Sequence, residues 1–169
     1  MNKQLEQKKG FTIIEVVLVL AIAGLIFLMV FIALPALQRS QRDSARKNEV
    51  GTIASAITSY QSNNRNAAPE AEDIVQYVTG EEGSDQLDSG ATVIVAATSY
   101  SADRTLNASL DSTSQGANDL GADEVKVFFG YKCNPDDNEQ LIRGTTKQAA
   151  VAVALESGPA SGSVYCQTN

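Results

Sequence analysis

From Val16 to Leu37 the chain holds only apolar residues, with no charge. At about 1.5 Å of helix per residue this run covers the roughly 30 Å hydrocarbon core of a bilayer, so it is long enough to span a membrane. Beyond it the apolar positions thin out and take up a helical period. Val50, Ile53, Ile57 and Tyr60 recur at three- and four-residue steps and fall on one face. Phe11 to about Ser62 therefore reads as one helix of about 78 Å, apolar all round in its first half and amphipathic in its second. Lipid surrounds the first half, and a folded head packs on the second.

The remainder reads as short elements. Asn63 to Ala68 breaks the helical pattern, and Pro69-Glu70-Ala71-Glu72-Asp73 has the early proline and first-turn acids of a helix start, which predicts a short helix through Val78. Gly80 to Gly90 is an acidic loop. Ala91–Ala97, Glu124–Tyr131 and Ala149–Leu155 are β-rich or alternating runs, and Ser163–Cys166 adds a short fourth strand. Ser101 to Gly121 is polar and poorly periodic, as in a long surface connection. The expected fold is α+β, a long N-terminal helix packed on a small antiparallel sheet. Four segments follow: residues 1–10, 11–37, 38–62 and a head at 63–169.

Composition narrows the function. A mean hydropathy of -0.12 averages one apolar segment with a polar remainder, and the net charge of -7 with a pI near 4.5 argues against nucleic acid as a partner. The chain has no histidine and two cysteines, which removes most zinc sites, Ser-His-Asp triads and Cys-His dyads. No catalytic residue and no cofactor is expected. Cys133 and Cys166 lie on the far side of the apolar run from the N-terminus; a disulfide outside the cytoplasm is the simplest account, with two free thiols the alternative. Such a bond would close a loop of about 34 residues and stabilise the head by about 3 to 4 kcal/mol in the chain-entropy model.

Three further stretches draw attention and are read plainly. Asn134 to Glu139 offers oxygen ligands but lacks EF-hand spacing, so a polar hairpin turn is preferred to a calcium site. Arg39 to Lys47, interleaved with Asp43 and followed by Glu49, suits intra- and inter-subunit ion pairs better than phosphate binding. Asn107-Ala108-Ser109 matches a glycan acceptor triplet, a pattern common by chance.

The most informative stretch is Lys8-Lys9-Gly10-Phe11-Thr12-Ile13-Ile14-Glu15, in which Glu15 is the one charge between Gly10 and the long apolar run. A carboxylate at membrane depth costs a few kcal/mol or more unless it finds a partner or reaches the headgroups. A basic leader ending in glycine, then Phe-Thr, two aliphatics and Glu, resembles the N-terminus shared by type IV pilins and type II secretion pseudopilins. The resemblance covers Lys8 to about Leu37 closely and the head only in layout.

That resemblance implies cleavage between Gly10 and Phe11 by a prepilin peptidase, methylation of the new Phe11 amine, and pairing of Glu15 with the amine of a neighbouring subunit. It implies a homo-oligomeric helical filament, built by a membrane assembly platform and an ATPase motor from a single-pass precursor whose head lies outside the cytoplasm. A minor pilin or a pseudopilin shares the same start. From the residues themselves, Gly24 and Pro35 predict a kink or melted turn in the helix; Pro35 falls later than the family's common position, near Ile32. Arg39, Arg42, Arg46 and Lys47 outnumber the leader lysines, so a plain count of positive charges would turn the chain the other way. Peptidase access and a disulfide both call for the leader inside, and that orientation is preferred.

Overall fold

The computed structural model describes residues 10–108, 118–157 and 162–169. Lys3, Lys8 and Lys9 of the leader, and Ser109 of the acceptor triplet, lie outside the described residues. The chain divides into two compact units, Met1–Gln38 and Arg39–Asn169.

Helix α1 (Ile13–Asn63) is continuous helix through both Gly24 and Pro35. The helix keeps its form there in the single chain: proline removes one amide donor, and the flanking bonds of a long helix persist on either side. In the second unit α1 buries Val50, Ile53, Ala54 and Ile57, a stripe at the predicted spacing. Full burial of each larger aliphatic side chain is worth about 1.5–3 kcal/mol. Tyr60 lies at the edge of that stripe, half-buried, with its ring centroid 5.4 Å from that of Tyr77.

Helix α2 (Ala71–Thr79) forms where the sequence placed it. Glu70 and Asp73 make a reciprocal capping box at its start, and Gly80, at φ +83°, ends it by donating its N–H to the Gln76 carbonyl. The strands are β1 (Thr92–Ala97), β2 (Arg104–Thr105), β3 (Asn107–Ala108), β4 (Asp119–Leu120), β5 (Glu124–Phe129), β6 (Tyr131–Asn134), β7 (Asp137–Arg143), β8 (Ala149–Leu155) and β9 (Ser163–Thr168).

Among the described residues the main sheet has the order β1-β5-β8-β9. β5–β8 and β8–β9 are antiparallel as expected, whereas β1 runs parallel to β5, with Val93 opposite Val125 and Val95 opposite Val127. The sheet is thus mixed. Parallel neighbours need a long return, and the chain between Ala97 and Glu124 supplies one. The expected α+β layout stands, with the helix packed on the sheet through unit-two residues.

The sheet is covered on both faces. Val151, Val153 and Leu155 of β8 point into the core against α1 and α2, while Ala150, Ala152 and Ala154 point into a second core with Leu106, Leu120, Phe128, Tyr131 and Leu141. Every residue of β8 is buried, so AAVAVAL is a central strand between two layers. Residues 101–108 and 118–121, expected within a surface connection, contribute to the second layer. Leu106 and Leu120 anchor it, and the buried Tyr131 hydroxyl accepts hydrogen bonds from Arg104 Nε at 2.8 Å and the Ser101 amide at 3.3 Å. Arg104 also bonds Asn118 Oδ1 at 2.9 Å and lies over the Tyr131 ring at 5.4 Å.

Gly130 makes the corner between β5 and β6 at φ +79°, where a side-chain Cβ would fall 2.7 Å from the Tyr100 amide nitrogen. Strands β6 and β7 then form a hairpin across Asn134–Asp137, the polar turn the sequence suggested. Its side chains bond locally, Asn134 Oδ1 accepting from the Asp136 amide and Asp137 Oδ1 from the Glu139 amide.

Candidate assembly site

The first unit presents an apolar helix surface. None of its described apolar side chains is buried, Phe11 is 90 % exposed, and one stretch of α1 is long and apolar enough to cross a membrane, with a mean hydropathy of 3.2. Glu15 is the acid in the first turn of this surface.

The carboxylate of Glu15 is held by the helix start. Thr12 directly precedes α1, and its amide and Oγ1 both donate to Glu15 Oε2, at 3.0 and 2.9 Å, while the Glu15 amide reaches back to Thr12 Oγ1 at 3.4 Å. This is the Thr-x-x-Glu capping box, which satisfies amides that a helix start leaves without partners. The sequence reading assigned Glu15 to assembly and missed the cap, although Thr12-Ile13-Ile14-Glu15 carries the spacing. Among the described residues Glu15 Oε1 makes no hydrogen bond, so the cap engages one oxygen and leaves the other without a partner in this chain.

Gly10, Phe11, Thr12 and Glu15 stand together at this end, while Gly24 and Pro35 lie farther along the same helix. Cys133 and Cys166 belong to the head, where they form a disulfide that ties β6 to β9.

A second cluster, within the head, shows what the basic stretch does. Arg42 grips Glu156 with two hydrogen bonds, Nε at 2.8 Å and Nη2 at 2.6 Å. Arg46 reaches the same carboxylate at 3.2 Å and the Ala154 carbonyl at 3.2 Å. Asp43, buried between them, accepts the amides of Glu156 and Ser157 at 2.8 and 2.9 Å. Burial works against the charge on Asp43, yet the hydrogen bonds from Ser157 and Glu156, helped by Arg46, hold its carboxyl below the ordinary range. The hydrogen bonds from Arg42 likewise outweigh burial and lower that of Glu156. Intra-subunit ion pairs were expected here. Asp43 as an acceptor for the end of β8 was not, since its partners are more than a hundred positions away.

Residues 7–31 match the prokaryotic N-terminal methylation motif, the prepilin-type motif of type IV pilins and pseudopilins. That motif supports a type IV pilin-like or pseudopilin protein; proteins that carry it are in general structural and are processed by a prepilin peptidase. With the apolar helix behind it, the motif fits a membrane-anchored precursor. Neither a curated protein nor a solved structure matches the chain.

Proposed function

We propose that the chain is a non-enzymatic structural subunit of a type IV pilus-like extracellular filament, cut between Gly10 and Phe11 and assembled through the apolar part of α1. The observation that carries this reading is the methylation motif at residues 7–31 with Glu15 placed in an otherwise apolar helix surface. Before assembly, residues 11–37 anchor the precursor in the cell membrane with the head outside the cytoplasm. A membrane platform and an ATPase motor then lift subunits from lipid into a helical bundle, where exposed side chains such as Phe27 and Phe31 exchange lipid contacts for contacts with other copies.

Glu15 supplies register. Cleavage leaves a cationic amine on Phe11, which methylation keeps charged, and the oxygen of Glu15 that the cap leaves open neutralises the amine of a neighbour. Two buried charges that pair offset each other's desolvation, whereas either alone is costly at membrane depth. The Thr12 cap holds the carboxylate so that little side-chain entropy is lost on pairing. Gly24 and Pro35 provide the weakest stretch of the helix, where turns unwind as the filament is packed or stretched.

The test is the intact mass and N-terminal sequence of protein sheared from the cell surface. A chain beginning at methylated Phe11, two hydrogens lighter for one disulfide, is expected. A chain beginning at Met1 and confined to the membrane would make it a plain tethered domain and end the filament reading. Glu15→Ala is expected to insert and be processed normally but to yield few or no filaments. Abundant filaments from that variant would remove the register role. The alternative reading, a minor pilin or pseudopilin, is supported by the same motif, and the subunit's share of purified fibre separates the two.

A further inference from the structure

The charges of the head are sorted by region. Residues 38–65 carry Arg39, Arg42, Arg46, Lys47 and Arg65 against Asp43 and Glu49, whereas every charged residue from 66 to 103 is acidic. Several of the basic groups are engaged within the subunit. Arg42 and Arg46 hold Glu156, and Lys47 lies over the Tyr165 ring at 5.4 Å. Arg39 is exposed and, among the described residues, has no hydrogen bond or ion pair.

Two acids are in the same condition. Half-buried Glu49 on α1 and exposed Asp88 in the loop after α2 make no side-chain hydrogen bond or ion pair among the described residues. Both line one groove of about 300 Å³, with Val78 and Leu87 on its apolar side. A carboxylate partly removed from water and lacking a cation is unfavourable unless something completes it. Its own Arg39 is badly placed to do so, since ten helical residues separate the two by about 15 Å, beyond the three- and four-residue steps at which helical side chains meet.

We propose that this groove is the seat of Arg39 from a second copy of the chain, lying on a parallel α1 displaced by about 15 Å along the helix axis. The guanidinium sits between Glu49 and Asp88, and the aliphatic stem lies over Val78 and Leu87. The neighbouring groove sets Arg42 and Arg46 beside Glu49, Asp123 and Glu124, so cations of the same chain already stand among its acids. The contact rests on the filament reading and specifies how copies register at head level, independently of Glu15.

The experiment uses the full chain in cells carrying its assembly machinery, with Arg39→Cys and Asp88→Cys combined. Both positions are exposed and both native cysteines are committed to the head disulfide. Oxidised, sheared filaments are expected to run as a ladder on non-reducing gels, with the 39–88 link mapped between copies by peptide mass. Filaments without that link, or a link from position 88 to a different protein, overturn the contact and leave the filament reading intact. If the double variant makes no filaments, charge reversal decides. Arg39→Glu is then expected to lower sheared filament at least tenfold and Arg39→Glu with Asp88→Arg to restore it; wild-type yield from the single variant, or no restoration by the pair, overturns the contact. A wild-type chain that makes no filament in these cells removes the filament reading and the contact together.

Discussion

Asp43 occupies a place that its neighbours in the chain do not explain. It lies among arginines, is nearly closed to water, and spends both oxygens on backbone amides at the end of β8. Asp43→Ala leaves those amides and Arg46 without their acceptor, and a loss of roughly 2–4 kcal/mol is expected in the unfolding of detergent-solubilised protein. The lowered folded-state values of Asp43 and Glu156 set the sign of the pH dependence. Their contribution is complete above the unfolded values of about 3.9 and 4.3 and is lost as pH falls through the lower folded values. The thermal midpoint is expected to drop across that acid window, and less so in Asp43→Asn. Tyr131 behaves in the opposite pH range. Burial opposes its ionisation, but hydrogen bonds from Ser101 and Arg104 prevail and bring the phenol down to about 8. Between that value and about 10 the unfolded chain binds the extra proton, so this group makes the protein more stable as pH rises. Ultraviolet titration is expected to show one tyrosine ionising near pH 8, a signal that Tyr131→Phe abolishes at a cost of roughly 1–3 kcal/mol.

Elements differ in how much of themselves they declare in sequence. The buried stripe Val50, Ile53 and Ile57 was legible because a helix repeats its face every three or four residues. The capping box and terminal glycine of α2 were equally local signals. Strand β7 was missed: Asp137–Arg143 is mostly polar, only Leu141 is fully buried, and its place is set by pairing with β6 and β2. Strand β8 was found, but its two-sided burial was not, because alternating valine and alanine reads as apolar throughout. The alanines have a spatial reason, since they let the second layer approach the sheet. Ala152→Leu is expected to destabilise the protein by about 1–3 kcal/mol through overpacking against the second core, seen as a lower thermal midpoint.

For the molecule as a whole, the head is a small sheet held between two layers, with the Cys133–Cys166 bond joining the β6–β7 hairpin to the last strand. Cys166→Ser is expected to cost about 2–5 kcal/mol, and reductant should shift the wild-type midpoint to that of the variant while leaving the variant unmoved. What the sequence determined by itself was whatever short-range physics controls: a membrane-length apolar run, the methylation motif at its head, the helical face after it, and the turn residues that delimit strands. Tertiary structure alone decided that β1 runs parallel to β5, that β8 lies between two cores, that Leu106 and Leu120 contribute to one of them, and that Asp43 answers the end of β8. Those outcomes depend on groups far apart in the chain meeting in space, and a local pattern carries no record of which distant partner satisfies a buried amide, a charge or a sheet edge.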